Sequence, residues 1–238
     1  MTTTLRCLAE LPEDLIAVEP ARAAFATFLF DSSALDGPVP NGISVVLRDG
    51  SELRATTLLD AGATEVLLGE VALIDSAVVE RLAAKYGGHR LGLYVPVQRM
   101  AVDWSFETVS NADFRVVTPS RCEPDWEILR ADGGGSGTLA SWWIGQMLER
   151  GAQTILLRVD LRDDTDLNLC AGLVEMFGEK LWLAPLSDGE PEIKLAEWVA
   201  YGQARQIALP MALYQRRETL LPTLDDPGHN QAILGITA

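Results

Sequence analysis

The residues of this chain best suited to moving protons or holding anions stand at the ends of short apolar runs. Asp31 follows "FATFLF" (25–30), Arg48 and Asp49 follow "ISVVL" (43–47), and Gly69-Glu70 follows "EVLL" (65–68). Tyr94 lies within "RLGLYV" (90–95). Arg158 sits in "TILLRV" (154–159), with Asp160 and Asp163 just beyond it, and Ser187 and Asp188 follow "KLWLAP" (180–185). A carboxylate such as Asp31 or Asp160 can take a proton, with Tyr94 as a third ionisable group. A guanidinium such as Arg48 or Arg158 can orient an anionic substrate. The same residue types suit a second role, in which Arg48 pairs with Asp49 and Arg158 with Asp160 as ion pairs on a rim.

Other chemistries find less support. "DLRDDTD" (160–166) has the acidity of a cation loop but lacks its glycine turn and terminal glutamate. It reads as solvated loop charge that also caps the next helix, so no metal site is expected. His89 and His229 have no sequence partner that would build a Ser-His-Asp or Cys-His site. Cys7, Cys122 and Cys170 are too scattered for zinc or a disulfide framework. "GGGSG" (133–137) is followed by neither Lys nor Arg, so it reads as a flexible joint rather than a phosphate loop. No cofactor is expected.

The elements that must position these residues alternate in type. The apolar runs, with "QIALPM" (206–211), are continuous rather than alternating, as suits strands covered on both faces. Between them lie amphipathic helical patterns at 51–62, 75–88, 136–151, 166–178 and 190–202. Asp75 is placed as an N-cap, Gly62 and Gly87-Gly88 as C-terminal stops, and Pro191 in a first turn. This βαβα order predicts parallel strands with right-handed crossovers. The stretch from 90 to 154 is too long for one unit and predicts an extended loop, 103–135, with small strands at "MAVDW" and "FRVV". Residues 218–238 read as a C-terminal tail.

The chain has 238 residues, a size that a single α/β barrel accommodates, and its net charge is −15. That charge opposes nucleic acid and anionic membranes, leaving a small molecule as the expected partner. The start carries no signal-peptide pattern, and no apolar stretch is long enough to span a bilayer, so a cytoplasmic setting is expected. Trp142 and Trp143 are adjacent and face different sides of their helix. One is expected in the core and the other at a contact between copies of the chain.

One stretch occurs twice. "DAGATEVLLGEVALID" (60–75) lies over "ERGAQTILLRVDLRDD" (149–164) without a gap, Gly62-Ala63 on Gly151-Ala152 and Asp75 on Asp164. A βα unit present in both halves is what a barrel made of similar half-barrels would show. "LLDAGATEVLLGEVALIDSAVVERLAAKYGGHRLGL" (58–93) resembles helix 3 to strand 5 of the sugar-phosphate barrels of histidine biosynthesis. These are the phosphoribosylformimino-aminoimidazole carboxamide ribotide isomerase and the synthase subunit related to it. "QRMAVDWSFET" (98–108) is similar to the isomerase's turn after strand 5, and 136–165 to its helix 5 and strand 6.

The resemblance implies a (β/α)8 barrel over residues 1–238, with an abbreviated first βα unit. It also implies a site at the strand C-terminal ends, where the isomerase uses two aspartates, on strands 1 and 5. Here strand 5 offers Tyr94, and strand 1 offers Glu10 or Glu19. Phenols ordinarily titrate near 10 and carboxylic acids near 4, so the replacement is poor. The family's phosphate sites, after strands 3–4 and 7–8, are altered as well. Gly69-Glu70 adds a carboxylate, "APLSDG" (184–189) replaces a glycine pair, and Pro210 has no N–H to donate. A diverged isomerase- or lyase-like barrel acting on a small anionic or phosphorylated metabolite is expected, linked to tetrahydromethanopterin one-carbon metabolism rather than to histidine synthesis. The alternative is a barrel subunit or scaffold without catalysis.

Overall fold

The computed structural model describes residues 3–10, 27–100, 108–110, 115–117, 124–187, 191 and 193–221. Among these residues, parallel strands β1 (Thr4–Ala9), β2 (Thr27–Phe30), β3 (Ile43–Leu47), β4 (Glu65–Leu68) and β5 (Leu91–Arg99) follow in order. Two short antiparallel pairs come next: β6 (Thr108–Ser110) with β7 (Arg115–Val117), and β8 (Trp126–Leu129) with β9 (Gly135–Leu139). Parallel strands β10 (Thr154–Arg158), β11 (Leu181–Ala184) and β12 (Gln206–Pro210) complete the set. β12 pairs with β1 and β10 with β5, so the eight parallel strands close into a barrel. The fold is a (β/α)8 barrel. β8 extends β5 on its antiparallel side, Val97 opposite Ile128.

Helices α1 (Glu52–Asp60), α2 (Glu70–Ile74), α3 (Ala77–Tyr86), α4 (Ala140–Glu149), α5 (Asp164–Phe177), α6 (Leu195–Ala200), α7 (Met211–Gln215) and α8 (Arg217–Leu220) lie between and after the strands. None is long and apolar enough to cross a membrane. β1 is a full strand of 6 residues. The segment after it, 11–26, lies outside the described residues, as do Glu19, Asp188, His229 and the tail from 222. A shortened unit does occur between β2 and β3, where residues 31–42 hold only a 3-10 turn, Ser33–Leu35.

The continuous apolar strands divide their side chains between two cores. Leu8, Phe28, Phe30, Val46, Leu67, Tyr94, Leu156, Trp182, Ala184 and Ala208 fill the barrel interior. The intervening residues, among them Val45, Val66, Leu93, Ile155 and Leu183, pack outward with the buried faces of the helices. This two-residue alternation fixes which residues beyond the strand ends can face the axis. At the opposite end the Arg6 guanidinium lies 4.1 Å from the Trp182 ring centroid. The buried Glu65 beside it accepts from Ser44 Oγ at 3.3 Å.

The repeated stretch has one local geometry in both copies. Gly62 and Gly151 take φ of +102° and +117°, and the amides of Ala63 and Ala152 donate back to Leu58 O and Met147 O at 3.1 and 3.2 Å. Glycine is needed there because the left-handed turn that ends each helix would clash with a Cβ. The copies lead into β4 and β10, the fourth and sixth barrel strands. They therefore lie two strands apart rather than the four a half-barrel repeat requires. What is duplicated is the packing of one helix-to-strand turn.

The segment 136–151 differs from its expected single helix. Gly135–Leu139 is a strand laddered to β8, and the helix begins at Ala140. The glycine run belongs to this hairpin: Gly133 takes a φ of +83°, Arg130 N donates to Gly134 O at 2.8 Å, and the Glu127 carboxylate accepts from Gly137 N. The 190–202 pattern yields a shorter helix, α6, which starts after Lys194 and excludes Pro191. Of the small strands expected in the long loop, β7 coincides with "FRVV", while 101–107 lie outside the described residues.

Candidate functional site

Inward alternation carries Val46 to Arg48 on β3, Leu156 to Arg158 on β10 and Leu8 to Glu10 on β1. The C-terminal mouth of the barrel is where these side chains meet. Its centre is Phe30, the last residue of β2. The Arg48 guanidinium stacks on the Phe30 ring with Cζ 3.6 Å from the centroid, and Arg158 approaches the same ring at 5.7 Å. Both lie within the range of cation–π attraction. Tyr94 meets Phe30 edge-on, centroids 5.6 Å apart and planes at 90°. Two cations and a phenol from three different strands thus converge on one aromatic ring.

Each arginine is held in place. Arg48 Nη2 donates to both oxygens of Glu10, at 2.6 and 2.7 Å. Arg158 is buried, 4% exposed, and donates from Nε to Pro185 O and from Nη2 to Leu186 O, at 2.8 and 2.7 Å. The expected rim pairs of Arg48 with Asp49 and Arg158 with Asp160 are therefore replaced by other contacts. Asp49 is exposed. Asp160 Oδ1 accepts from the amides of Leu186 and Ser187 at 3.0 and 3.1 Å, and its Oδ2 from Ser187 Oγ at 2.7 Å.

Asp31 is also engaged. Arg54 on α1 binds it through Nε and Nη2, the shortest contact being 2.6 Å, and reaches Asp36 and Ser32 O as well. That bonding, chiefly to Asp31, raises the Arg54 guanidinium above its ordinary value. The acidic run 160–166 is occupied in turn. Asp163 caps α5 by accepting from Asp166 N, and Arg99 bonds both Asp163 and Asp166. The bond from Arg99 is the main cause that holds the Asp163 carboxyl below its usual range.

Arg48, Gly69, Glu70 and Tyr94 share one pocket at the ends of β3, β4 and β5. Leu73, Pro96, Ile128, Leu129, Ala131 and Trp143 complete its walls, so the β8–β9 hairpin and α4 close one side. The cavity is small, ≈ 20 Å³, room for little more than one water. Tyr94 is 7% exposed, and its hydroxyl makes no hydrogen bond to a described residue. At the pocket edge the amides of Gly69 and Glu70 donate to Leu47 O and Arg48 O, at 2.9 and 3.0 Å. A Cβ on Gly69 would lie 2.4 Å from Arg48 O, so only glycine lets the two strand ends approach this closely.

The structure thus brings Arg48, Gly69, Glu70 and Tyr94 into one cavity, with Arg158 beside them around Phe30. Asp160 and Ser187 form a separate cluster after β10 and β11, and Asp31 lies in the Arg54 network. Sequence reasoning missed Phe30, which has no polar group and becomes visible only when its phase with Phe28 is combined with the positions of Arg48 and Arg158. The partner of Arg48 was also missed, since Glu10 follows a strand 38 residues earlier. No known protein-family model matches the chain.

Proposed function

We propose that the barrel mouth binds a small organic anion and carries out, or derives from, isomerase- or lyase-type proton-transfer chemistry. The observation behind this is the convergence of Arg48 and Arg158 on the Phe30 ring. Two guanidiniums fixed at one end of a barrel offer charged donors that an anion can use, Arg48 sharing its charge with Glu10. Glu10 and Tyr94 are the ionisable groups beside them. Glu10 follows β1 and Tyr94 lies within β5, the two strands on which the resembling histidine-biosynthesis isomerase carries its acid and base. The reading is of a diverged relative of those barrels, with a role in tetrahydromethanopterin-linked one-carbon metabolism and not in the histidine pathway.

A thermal-shift screen of small organic anions tests the binding. Anions that raise the Tm of the wild type should fail to do so for Arg48→Met. No stabilisation by any anion, or equal stabilisation of both proteins, would overturn the reading. Expression in a strain lacking the histidine-pathway isomerase should not restore growth; growth would refute the divergence. A second reading, a barrel scaffold without catalysis, is favoured by the small cavity and by the hairpin side chains Ile128 and Leu129 that wall it.

A further inference from the structure

We propose that Glu10 is a built-in competitor for Arg48, and that an anion enters the mouth by displacing it. The inference rests on the anion-binding reading above and adds how access to that site is controlled. Of the two cations at Phe30, Arg158 is 4% exposed and is turned to the carbonyls of Pro185 and Leu186. Arg48, with 44% of its side chain exposed, is the one that an anion from solvent can reach. The approaches to it are few. The Phe30 ring covers one face of the guanidinium at 3.6 Å. The cavity beside it, ≈ 20 Å³, has room for little more than one water. Glu10, itself half-exposed, already takes Nη2 through both carboxylate oxygens, at 2.6 and 2.7 Å.

A carboxylate at that position stands in for an anionic ligand. It offsets the charge of Arg48 and sets a like charge next to any second anion. Even in bulk water, repulsion between unit charges about 4 Å apart corresponds to roughly a fivefold loss of affinity. The contact is nonetheless easy to open. Glu10 follows β1 and Arg48 follows β3, the two strands that flank β2, so the pair spans the end of β2 above Phe30. Opening it removes a side-chain contact and no strand pairing. Exposed ion pairs of this kind add little to stability.

Acetate, titrated into the full chain at constant ionic strength and followed by NMR at the Arg48 Nε–H, tests this. Glu10→Gln should bind acetate about fivefold more tightly than the wild type, or better. Glu80→Gln makes the same change of charge on the outer helix α3 and should leave the affinity where it was. In the wild type, the carboxyl carbon signal of Glu10 should shift together with the Arg48 signal as acetate saturates. Equal affinities of Glu10→Gln and the wild type, or equal gains in both variants, would overturn the proposal while leaving an anion-binding mouth. So would an unmoved Glu10 signal, since acetate would then sit beside an intact pair. Acetate binding to neither the wild type nor Glu10→Gln would sink the proposal together with the reading it rests on.

Discussion

Replacing Gly69 by alanine tests the closeness of the strand ends that build the pocket edge. Gly69 has a φ of −97° and a ψ of −116°, and the contacts of an added Cβ give the lower bound of the effect. The added Cβ would lie 2.4 Å from Arg48 O and 2.8 Å from Leu47 O. Ordinary carbon–oxygen contacts begin near 3.3 Å, so β3 and β4 must part by roughly 1 Å at this point. Both carbonyls belong to barrel backbone and cannot swing aside as a side chain can. Overpacking of this kind costs about 1–3 kcal/mol, and losing one of the two amide bonds across the gap adds about 1 kcal/mol. For a chain of this size a total of about 2–4 kcal/mol corresponds to a Tm lower by roughly 5–15 °C. Differential scanning calorimetry of Gly69→Ala measures it. Gly37→Ala is the control, because a Cβ there meets nothing within 4 Å. A Gly69→Ala Tm within about 2 °C of the wild type would show that the approach is looser than described. The account of the pocket edge would then fail.

Three further outcomes are expected. Arg54→Met removes the bonds to Asp31, Asp36 and Ser32 O and leaves a half-buried carboxylate at the end of β2; a loss of about 1–2 kcal/mol is expected in urea denaturation. Trp198 is fully buried and its indole N–H has no partner among the described residues, so Trp198→Phe should cost under about 1.5 kcal/mol while Trp198→Ala costs about 3–5 kcal/mol. Burial pushes the Glu65 carboxyl above its ordinary 4.5, partly offset by Thr154 and Arg6. The folded state then binds the proton more tightly than the unfolded state, so the wild type should lose stability as pH rises from about 4.5 through the raised value. Glu65→Gln should flatten that slope; an unchanged slope across the window would assign the pH dependence to other groups.

The barrel was legible in the sequence because its signal is repeated. Runs such as "ISVVL" and "EVLL" became β3 and β4 over the same residues, and Gly62 and Gly151 marked the same turn twice. The break at 136–151 was not legible, since Gly135–Leu139 has no side-chain pattern of its own and becomes a strand only because β8 offers it a ladder. The site was legible in part. Position at or just after a strand's C-terminal end placed Arg48, Glu70 and Arg158 at the mouth, and Tyr94 reaches it from within β5. Partner choice did not follow from proximity in the chain: Arg48 turned from Asp49 to Glu10, and Asp160 turned to amides contributed from beyond the next barrel strand. Such pairings depend on which strands become neighbours when the sheet closes, and a linear reading does not contain that closure.

Closure also explains how a chain of net charge −15 brings two guanidiniums together at one barrel mouth. At physiological salt the screening length is about 8 Å, so charges on the far side of the barrel contribute little there. The local balance decides. Three carboxylates near the rim are tied: Glu10 by Arg48, Asp31 by Arg54, and Asp160 by two amides and a hydroxyl, while Glu70 lines the pocket and Asp49 is exposed. These ties direct the negative groups at fixed partners, while Arg48 stacks on Phe30 and Arg158 approaches the same ring. A cation held in position before binding loses little side-chain freedom when an anion arrives.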